Sequence, residues 1–326
     1  MDNLKRLFIK KNTEETDIFK LKYKHYGVLN RDKILYYIEE NNKDLGFFAM
    51  YRYWLEYLYF ADICGYLPVV SAGKDFAYKE EGAVNETTNP FEYYFLQPSA
   101  ISVQETRHSK QVILSDIVHR KMVELIFTGK AGNYKYNKRY LSMMSYIVKK
   151  YVHFNKYTEE YINESIKKLN FGQEKMLGIH IRGTDFRAKY NNHPVYVSEE
   201  DCFEEVEKML KKNSYSKIFV ATDDKRILSA FIKKYGGYIC FYGDVERSSN
   251  NKSVAFSDNS RDNHKYLLGL EVIRDMYTLS MCNGLIAGIS QVAICAQINK
   301  LARNEHYEDI KIIDKGLYKN SHYFAR

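Results

Sequence analysis

Four residues able to carry chemistry stand close together in the segment KMLGIHIRGTDFR: His180, Arg182, Asp185 and Arg187. They come at the end of an apolar run, residues 176–181, which is typical of a strand buried on both faces. An arginine side chain presents a planar and permanently charged guanidinium that matches the oxygens of a phosphate. The segment is therefore either an ordinary strand with a solvated loop or the edge of a site for an anion.

Two further segments place polar groups directly after an apolar strand. In VATDDKRIL, Asp223 and Asp224 follow the run KIFVAT, and in GLIAGISQVAI, Ser290 and Gln291 follow the run GLIAG. A hydroxyl and free backbone N–H groups at a helix start form an anion site, because the helix dipole adds to the hydrogen bonds. The paired acids could bind a metal, but helix capping with one hydrogen bond to a ligand explains them better, since no third carboxylate lies nearby in sequence.

The C-terminal half alternates strands with helices. Ser198, with Asp201 three residues on, predicts a helix start, and Asp223 or Asp224 predicts another, which Gly236 and Gly237 end. The predicted strands are 176–181, 217–222, 238–242, 284–288 and 310–314, and two later helices are 266–282 and 291–302. Such alternation predicts a parallel sheet with helices on both faces, and ligands bind at the carboxyl ends of its strands.

The N-terminal half is predicted to be rich in helices, with one strand over residues 66–70. The predicted helices are Arg31–Asn41, Phe47–Cys64 with Gly65 as its stop, 115–128, 138–152 and 157–169. A length of 326 residues favours two domains, which we place at 1–172 and 173–326.

Composition excludes several classes of protein. The net charge of +8 is spread along the chain, which argues against nucleic-acid binding, and five cysteines without a CxxC pair predict reduced thiols and no zinc site. The N-terminus does not have the pattern of a signal peptide, and the longest apolar stretch, 46–63, is interrupted by Arg52, Glu56 and Asp62. A cytoplasmic protein is expected. Peripheral association with the inner face of a membrane, favoured by the positive charge, is a second reading.

Three motifs in order, spanning residues 180–298, resemble those of fucosyltransferases that use GDP-fucose. HIRGTD, followed by HP at 193–194, resembles their H-x-R-R-x-D motif, and VATDDKRIL resembles a second motif that reads A-T-D-D. The segment VIRDMYTLSMCNGLIAGISQVAICAQI resembles the third, an acid-bearing helix followed by a strand, S-Q-V and another helix. The similarity is greatest to the α1,6-fucosyltransferases and the rhizobial chitooligosaccharide fucosyltransferases.

The resemblance implies an α/β, GT-B-like fold: two Rossmann-like domains with parallel sheets, a cleft between them, and the donor in the C-terminal domain. It implies inverting transfer of L-fucose from GDP-fucose to a hydroxyl of a glycan acceptor, with α1,6-like linkage favoured and with neither a metal nor a further cofactor. A role in bacterial surface-polysaccharide synthesis follows as an expectation. The alternatives are an α1,2 linkage, another nucleotide sugar, or a non-catalytic nucleotide-binding protein.

Carried over by position, the resemblance also implies roles for particular residues. The donor-site residues are His180 and Asp275 at the guanosine, Arg182, Ser290 and Gln291 at the diphosphate, and Asp223 and Asp224 ordering the site. His180 has the competing reading of a satisfied interior histidine. Asp275 has that of an ion pair with Arg274 or Arg261.

The chain departs from the family pattern at two places. Gly183 stands where many members have a second arginine, so one phosphate contact is either missing or supplied by Arg187. The α1,6 enzymes carry a glutamate shortly after the motif, whereas FRAKYNNHP contains no carboxylate. Asp185 and His193 are therefore the two candidates for the general base.

Overall fold

The computed structural model describes residues 21–128, 137–169, 171, 174–257 and 259–319, and the chain divides into two compact units. The first unit takes residues up to 45 and 49–155, and the second takes 46–48 and the residues from 156 onward. The helix Lys156–Lys167 thus belongs with the second unit, where Arg274 donates a hydrogen bond to Ser165 at 3.3 Å. The sequence places the boundary later, after residue 172.

The first unit is built on a four-stranded sheet in the order β1-β4-β2-β3. Its strands are β1 (Lys22–Lys24), β2 (Leu35–Glu39), β3 (Leu67–Ser71) and β4 (Val112–Leu114). β2 runs parallel to both β3 and β4, and β1 is antiparallel to β4. The helix predicted over Arg31–Asn41 is wrong, because β2 occupies the middle of this sheet. Its apolar run LYYI is buried at all four positions. A short run without an exposed face is typical of an interior strand, whereas a helix at the surface would expose one side.

Three described helices of the first unit follow the predicted positions closely: α1 (Phe47–Cys64), which begins in the second unit's short segment, α3 (Ile117–Thr128) and α4 (Lys138–Tyr151). The single turn α2 (Val103–Thr106) was not predicted. α1 ends before Gly65, whose φ of +72° is the left-handed conformation that glycine adopts most readily.

Two of the charges that interrupt the apolar stretch of α1 are buried. Arg52 and Glu56 form a network with Arg120 and Glu124 of α3, in which Arg120 Nη1 lies 3.6 Å from Glu56 Oε2. Buried charges of this kind are tolerated only when they are paired. Over the part of the chain that the structure describes, no helix is long and apolar enough to cross a membrane.

The second unit is a five-stranded, wholly parallel sheet in the order β7-β6-β5-β8-β9. The strands are β5 (Met176–Ile181), β6 (Lys217–Thr222), β7 (Ile239–Cys240), β8 (Gly284–Gly288) and β9 (Asp309–Ile313). The helices are α5 (Lys156–Lys167), α6 (Glu199–Lys212), α7 (Lys225–Tyr235), α8 (His264–Met281) and α9 (Gln291–Ala302). This alternation is the predicted one, although β7 is shorter than 238–242 because a 3-10 turn, Gly236–Tyr238, precedes it.

Side-chain caps fix where the helices of this unit begin. Ser198 and Asp201 form the predicted capping box at α6, Asp224 rather than Asp223 caps α7, and Ser290 caps α9. α7 follows β6 and α9 follows β8, so both helices start at the edge where β5 also ends. The five cysteines all lie in the described ranges, and each has a free thiol.

Candidate functional site

Arg182 is the first residue after β5, and its guanidinium lies among two carboxylates and a hydroxyl. Nε donates to Asp185 Oδ1 at 2.8 Å, and Nη1 lies 2.9 Å from Asp223 Oδ2. Nη2 donates to Ser253 Oγ at 3.0 Å. The side chain is 24% exposed, so a permanently charged group is held in place at the carboxyl edge of the sheet and remains open to solvent.

Asp223 organises the turn that follows Arg182. Its Oδ1 accepts a hydrogen bond from the backbone N–H of Gly183 at 2.9 Å, and its Oδ2 accepts one from the Thr184 hydroxyl at 2.6 Å. Together with the Arg182 pair, these bonds tie the end of β5 to the end of β6. Asp223 thus orders the turn itself, and its predicted role at the donor stays a prediction.

Asp224 has a different position from its neighbour. Its side chain is fully buried, accepts from the backbone N–H of Arg226 at 2.8 Å, and pairs with the Arg226 guanidinium at 2.6 Å. Burial opposes ionisation of this carboxyl, but its hydrogen bonds with Arg226 hold its pKa below the ordinary value. Asp224 therefore shapes the site as a helix cap rather than as a surface group.

Arg187 lies on the Asp224 side of the turn. Its Nη2 donates to Glu199 Oε1 at 2.8 Å, its Nε lies 3.5 Å from Asp224 Oδ2, and its guanidinium stacks 4.2 Å from the centre of the Tyr196 ring. These contacts hold Arg187 against the starts of α6 and α7.

Gly183 lies too close to α7 to carry a side chain. A Cβ atom there would lie 2.4 Å from Asp224 Cβ and 2.7 Å from Ile227 Cδ1, distances that real Cβ atoms do not show. The departure from the H-x-R-R-x-D pattern thus has a steric reason. In this chain the turn packs directly on the start of α7, and the side chain of an arginine at position 183 would overlap it.

His180 and Asp275 both carry a buried polar atom that has no partner within the described ranges: Nε2 of the histidine and Oδ1 of the aspartate. His180 Nδ1 donates to the carbonyl of Ala221 at 3.2 Å, which leaves Nε2 as an acceptor, and burial lowers the pKa of the ring to about 4. Burial raises the pKa of Asp275 to about 7. The competing ion pairs are not formed, since Arg274 pairs with Asp244 and Arg261 with Glu271.

The start of α9 offers further polar groups at the same edge. Ser290 Oγ accepts from the backbone N–H of Ala293 at 3.1 Å, and Gln291 Oε1 is buried without a partner among the described residues. A narrow pocket of about 10 Å³ is lined by both Arg182 and Ser290. The first and third motifs therefore meet at one place, as the parallel arrangement of β5 and β8 requires.

The two candidate bases lie in different environments. Burial opposes ionisation of Asp185, but the positive charge of Arg182 holds its pKa below the ordinary value. Burial lowers the pKa of His193, whose ring packs edge-on against Phe186 and Tyr190 at centroid distances of 6.2 and 5.6 Å. Near neutral pH Asp185 is an ion-pair partner, whereas His193 is a neutral imidazole.

The loop between β7 and α8 contributes two residues that the sequence analysis missed. Ser253 contacts Arg182, and Arg247 is 5% exposed, with Nε donating to the carbonyl of Thr222 at 3.1 Å and Nη2 buried without a partner in the described ranges. This loop carries no recognisable motif, and only its polar composition between two regular elements could have drawn attention to it. Over the described residues, no group of three or more His, Cys, Asp or Glu side chains is arranged to hold a metal ion.

The comparison with protein families supplies the identity of the group. The family described as "Alpha-(1,6)-fucosyltransferase N- and catalytic domains" matches residues 138–308, more than half of the chain. The chain belongs to this fucosyltransferase family. It is accordingly a glycosyltransferase, and its matched region contains all three motifs together with β5, β6 and β8.

Solved structures of fucosyltransferases have the same fold. The NodZ α-1,6-fucosyltransferase co-crystallised with GDP is 12% identical, with 83% of this chain and 92% of that chain covered and a TM-score of 0.50. POFUT1 in complex with GDP is 11% identical, with coverages of 86% and 98% and a TM-score of 0.51. Another structure, NodZ from Bradyrhizobium, is 13% identical, with 83% of this chain and 93% of that chain covered and a TM-score of 0.48.

The likenesses with TM-scores of 0.50 and 0.51 establish the α/β, GT-B-like architecture of the fucosyltransferase. Its second sheet is wholly parallel, and its first is parallel apart from β1. Among curated proteins, none matches this chain by sequence.

The first unit of the fucosyltransferase contains a separate polar pocket of about 730 Å³. Glu39 and Ser71, at the carboxyl ends of β2 and β3, line it together with Lys74, Asn89 and Arg107. Hydroxyl, amide and charged groups of both signs thus face one space at the edge where the parallel strands β2 and β3 end.

Proposed function

We propose that this fucosyltransferase transfers L-fucose from GDP-fucose to a hydroxyl of a glycan, with inversion and without a metal. The observation that carries the proposal is a set of three buried acceptor atoms without partners among the described residues: His180 Nε2, Asp275 Oδ1 and Gln291 Oε1. Buried polar atoms are almost always hydrogen-bonded, so these three call for a ligand rich in donors. The edge of guanine, with N1–H and an amino group, has that character, and ribose adds hydroxyls.

The charges at the edge of the sheet suit the diphosphate. Cleavage of the bond between fucose and GDP leaves negative charge on the departing phosphate, so stabilisation is needed where that charge develops. Arg182 supplies a fixed positive charge, and the start of α9 supplies backbone N–H groups beside Ser290. Both line the same narrow pocket, which supports a common role in holding the β-phosphate.

Of the two candidate bases, we favour His193. Asp185 already accepts a hydrogen bond from Arg182 at 2.8 Å, and its lowered pKa makes it a poor proton acceptor. We assign it to positioning the guanidinium. Burial lowers the pKa of His193, so its ring is neutral at physiological pH and has a nitrogen able to accept a proton. A weak base is sufficient if the acceptor hydroxyl loses its proton late in the reaction.

The acceptor is assigned to the first unit on the strength of its polar pocket. A volume of about 730 Å³ is large enough for a short oligosaccharide, and its hydroxyl, amide and charged lining suits sugar hydroxyls. We propose α1,6-like transfer to a glycan of a bacterial surface polysaccharide, with α1,2 linkage as the alternative. A panel of oligosaccharides, with linkage read by NMR of the product, tests this assignment.

The donor and the metal requirement are tested together by nucleotide release. The purified chain is incubated with GDP-fucose, GDP-mannose, UDP-galactose and UDP-glucose, with a glycan mixture, in the presence and absence of EDTA. We expect GDP release from GDP-fucose alone, at a rate that EDTA does not change. Turnover of UDP-sugars without turnover of GDP-fucose would contradict the donor assignment, and loss of activity in EDTA would contradict metal independence.

A further inference from the structure

Arg247 is a buried cation without an ionic partner. Its side chain is 5% exposed, its Nε and Nη1 donate to the carbonyls of Thr222 and Val245, and no carboxylate in the described ranges forms an ion pair with it. An arginine cannot lose its charge, so burying one against neutral carbonyls and the ring of Phe241, whose centre lies 5.6 Å from the guanidinium carbon, is costly. Its Nη2 has no hydrogen-bond partner in the same ranges. This nitrogen can therefore donate to an acceptor supplied from outside the chain.

The neighbourhood of Arg247 indicates what that acceptor belongs to. Thr222, whose carbonyl it contacts, directly follows Ala221, whose carbonyl accepts from His180. The negative charge that acts most strongly on Arg247 is that of Asp275. An unpartnered donor on Arg247 thus lies in the same region as the unpartnered acceptors on His180 and Asp275.

A phosphate does not suit this position. Glu271 accepts a hydrogen bond from the backbone N–H of Glu246, the residue before Arg247, at 3.0 Å, and Asp275 lies one turn further along the same face of α8. A diphosphate placed there would lie beside these two acidic side chains. The cation of the phosphate region is Arg182, which follows β5 and lines the pocket with Ser290. The acceptor for Arg247 should therefore be an uncharged atom of the ligand.

We propose that Arg247 reads the guanine base, donating from Nη2 to the O6 and N7 side while Asp275 accepts from N1–H and the amino group. The inference rests on the proposed function, and it adds a specificity residue that lies outside the three motifs. Arginine is the side chain that most often contacts O6 and N7 of guanine. Because Nε and Nη1 of Arg247 donate to protein carbonyls, Nη2 supplies this contact here. Adenine presents an amino group where guanine has O6, so the same arginine disfavours ADP.

The test compares affinities for GDP, IDP and ADP, measured by isothermal titration calorimetry on the wild-type chain and Arg247→Met. IDP retains O6 and N7 and lacks the amino group. We expect the wild type to prefer GDP. We expect Arg247→Met to weaken GDP and IDP by about tenfold or more and to leave ADP nearly unchanged, so that the GDP-to-ADP affinity ratio falls by the same factor.

Arg226→Met is the matched control. Arg226 also holds this loop, since its Nη2 donates to the Asn250 carbonyl at 3.2 Å and to Asn251 Oδ1 at 3.0 Å. We expect this variant to leave the GDP-to-ADP ratio unchanged.

Two results would overturn the inference, and they are distinguishable. An equal loss of affinity for all three nucleotides in Arg247→Met shows that Arg247 only anchors the loop, and the proposed function then survives. A wild-type chain that shows no preference for GDP removes the proposed function and the inference together. Partial unfolding of a variant lowers its apparent affinities for GDP and ADP by the same factor, so it does not change their ratio.

Discussion

The substitution Asp275→Asn tests whether the buried carboxylate of Asp275 lowers the stability of the protein and, at the same time, strengthens the binding of GDP. Asp275 lies in α8 with Oδ1 buried and unpartnered among the described residues, and burial raises its pKa from 3.8 to about 7. The native state therefore holds a proton more tightly than the unfolded chain does. The stability that this provides is complete below about pH 3.8 and is lost as the pH rises through about 7.

The size of the effect follows from the two pKa values. The gap between 3.8 and about 7 corresponds to about 4 kcal/mol of native-state destabilisation above neutral pH. An asparagine carries no charge to bury, so Asp275→Asn regains up to this amount at about pH 8, less than half of it at about pH 5, and almost none at about pH 3. The remaining amide still lacks a partner, which makes about 4 kcal/mol an upper limit.

Chemical denaturation measures the predicted change in the free energy of unfolding, and titration of the same preparations with GDP measures the predicted change in affinity. We expect Asp275→Asn to have a larger free energy of unfolding than wild type at about pH 8, with the difference shrinking as the pH falls. We also expect its GDP affinity to drop by about tenfold or more, because an amide cannot accept from two donors of the base as a carboxylate does. A variant that is equally stable or less stable at about pH 8, or that binds GDP like wild type, refutes the reasoning.

Three further predictions concern the turn after β5 and the acid–base chemistry. Gly183→Ala should lower the free energy of unfolding by about 1–3 kcal/mol in a denaturant titration, because its Cβ would overlap Asp224 at 2.4 Å; an unchanged value would disprove the close packing. Arg182→Lys should reduce kcat by about a hundredfold or more, since a lysine loses the planar fork, while circular dichroism stays native; near-normal turnover would exclude the phosphate role. The pKa of His193 is lowered from 6.5, so kcat of the wild type should fall as the pH drops through a value below 6.5. His193→Gln should remove this acid limb of the pH–rate profile along with most of the activity. A limb that persists in the glutamine variant would assign the base elsewhere.

The second unit could be predicted from sequence almost completely, because its signals are local. Runs such as MLGIHI and KIFVAT are apolar throughout, and residues such as Ser198 and Gly236 mark where helices start and stop. The error over Arg31–Asn41 has the opposite cause. β2 is a strand because it pairs with β3 and β4, and the partner strand β4 lies more than 70 residues away in sequence. No local pattern carries that information.

The site was predictable to the extent that its residues follow strands. Arg182, Asp223 and Ser290 lie where the parallel arrangement places them, at one edge of one sheet. The different environments of Asp223 and Asp224 could not be read from adjacent letters, since they depend on which carboxylate turns toward α7. Arg247 and Ser253 could not be found because an irregular loop has no period, and its contacts are decided by packing alone.

The contacts of Arg182 have a consequence for how any anion binds there. Its guanidinium is already engaged by Asp185, Asp223 and Ser253, so an incoming phosphate has to exchange with groups of the protein itself. The affinity observed for such a ligand is then a difference between two sets of hydrogen bonds rather than the strength of one. An anion that makes only this contact gains little from the exchange. A ligand that also binds other parts of the site gains enough free energy to offset the loss of these hydrogen bonds. Arg182 is therefore selective for molecules large enough to fill the whole site.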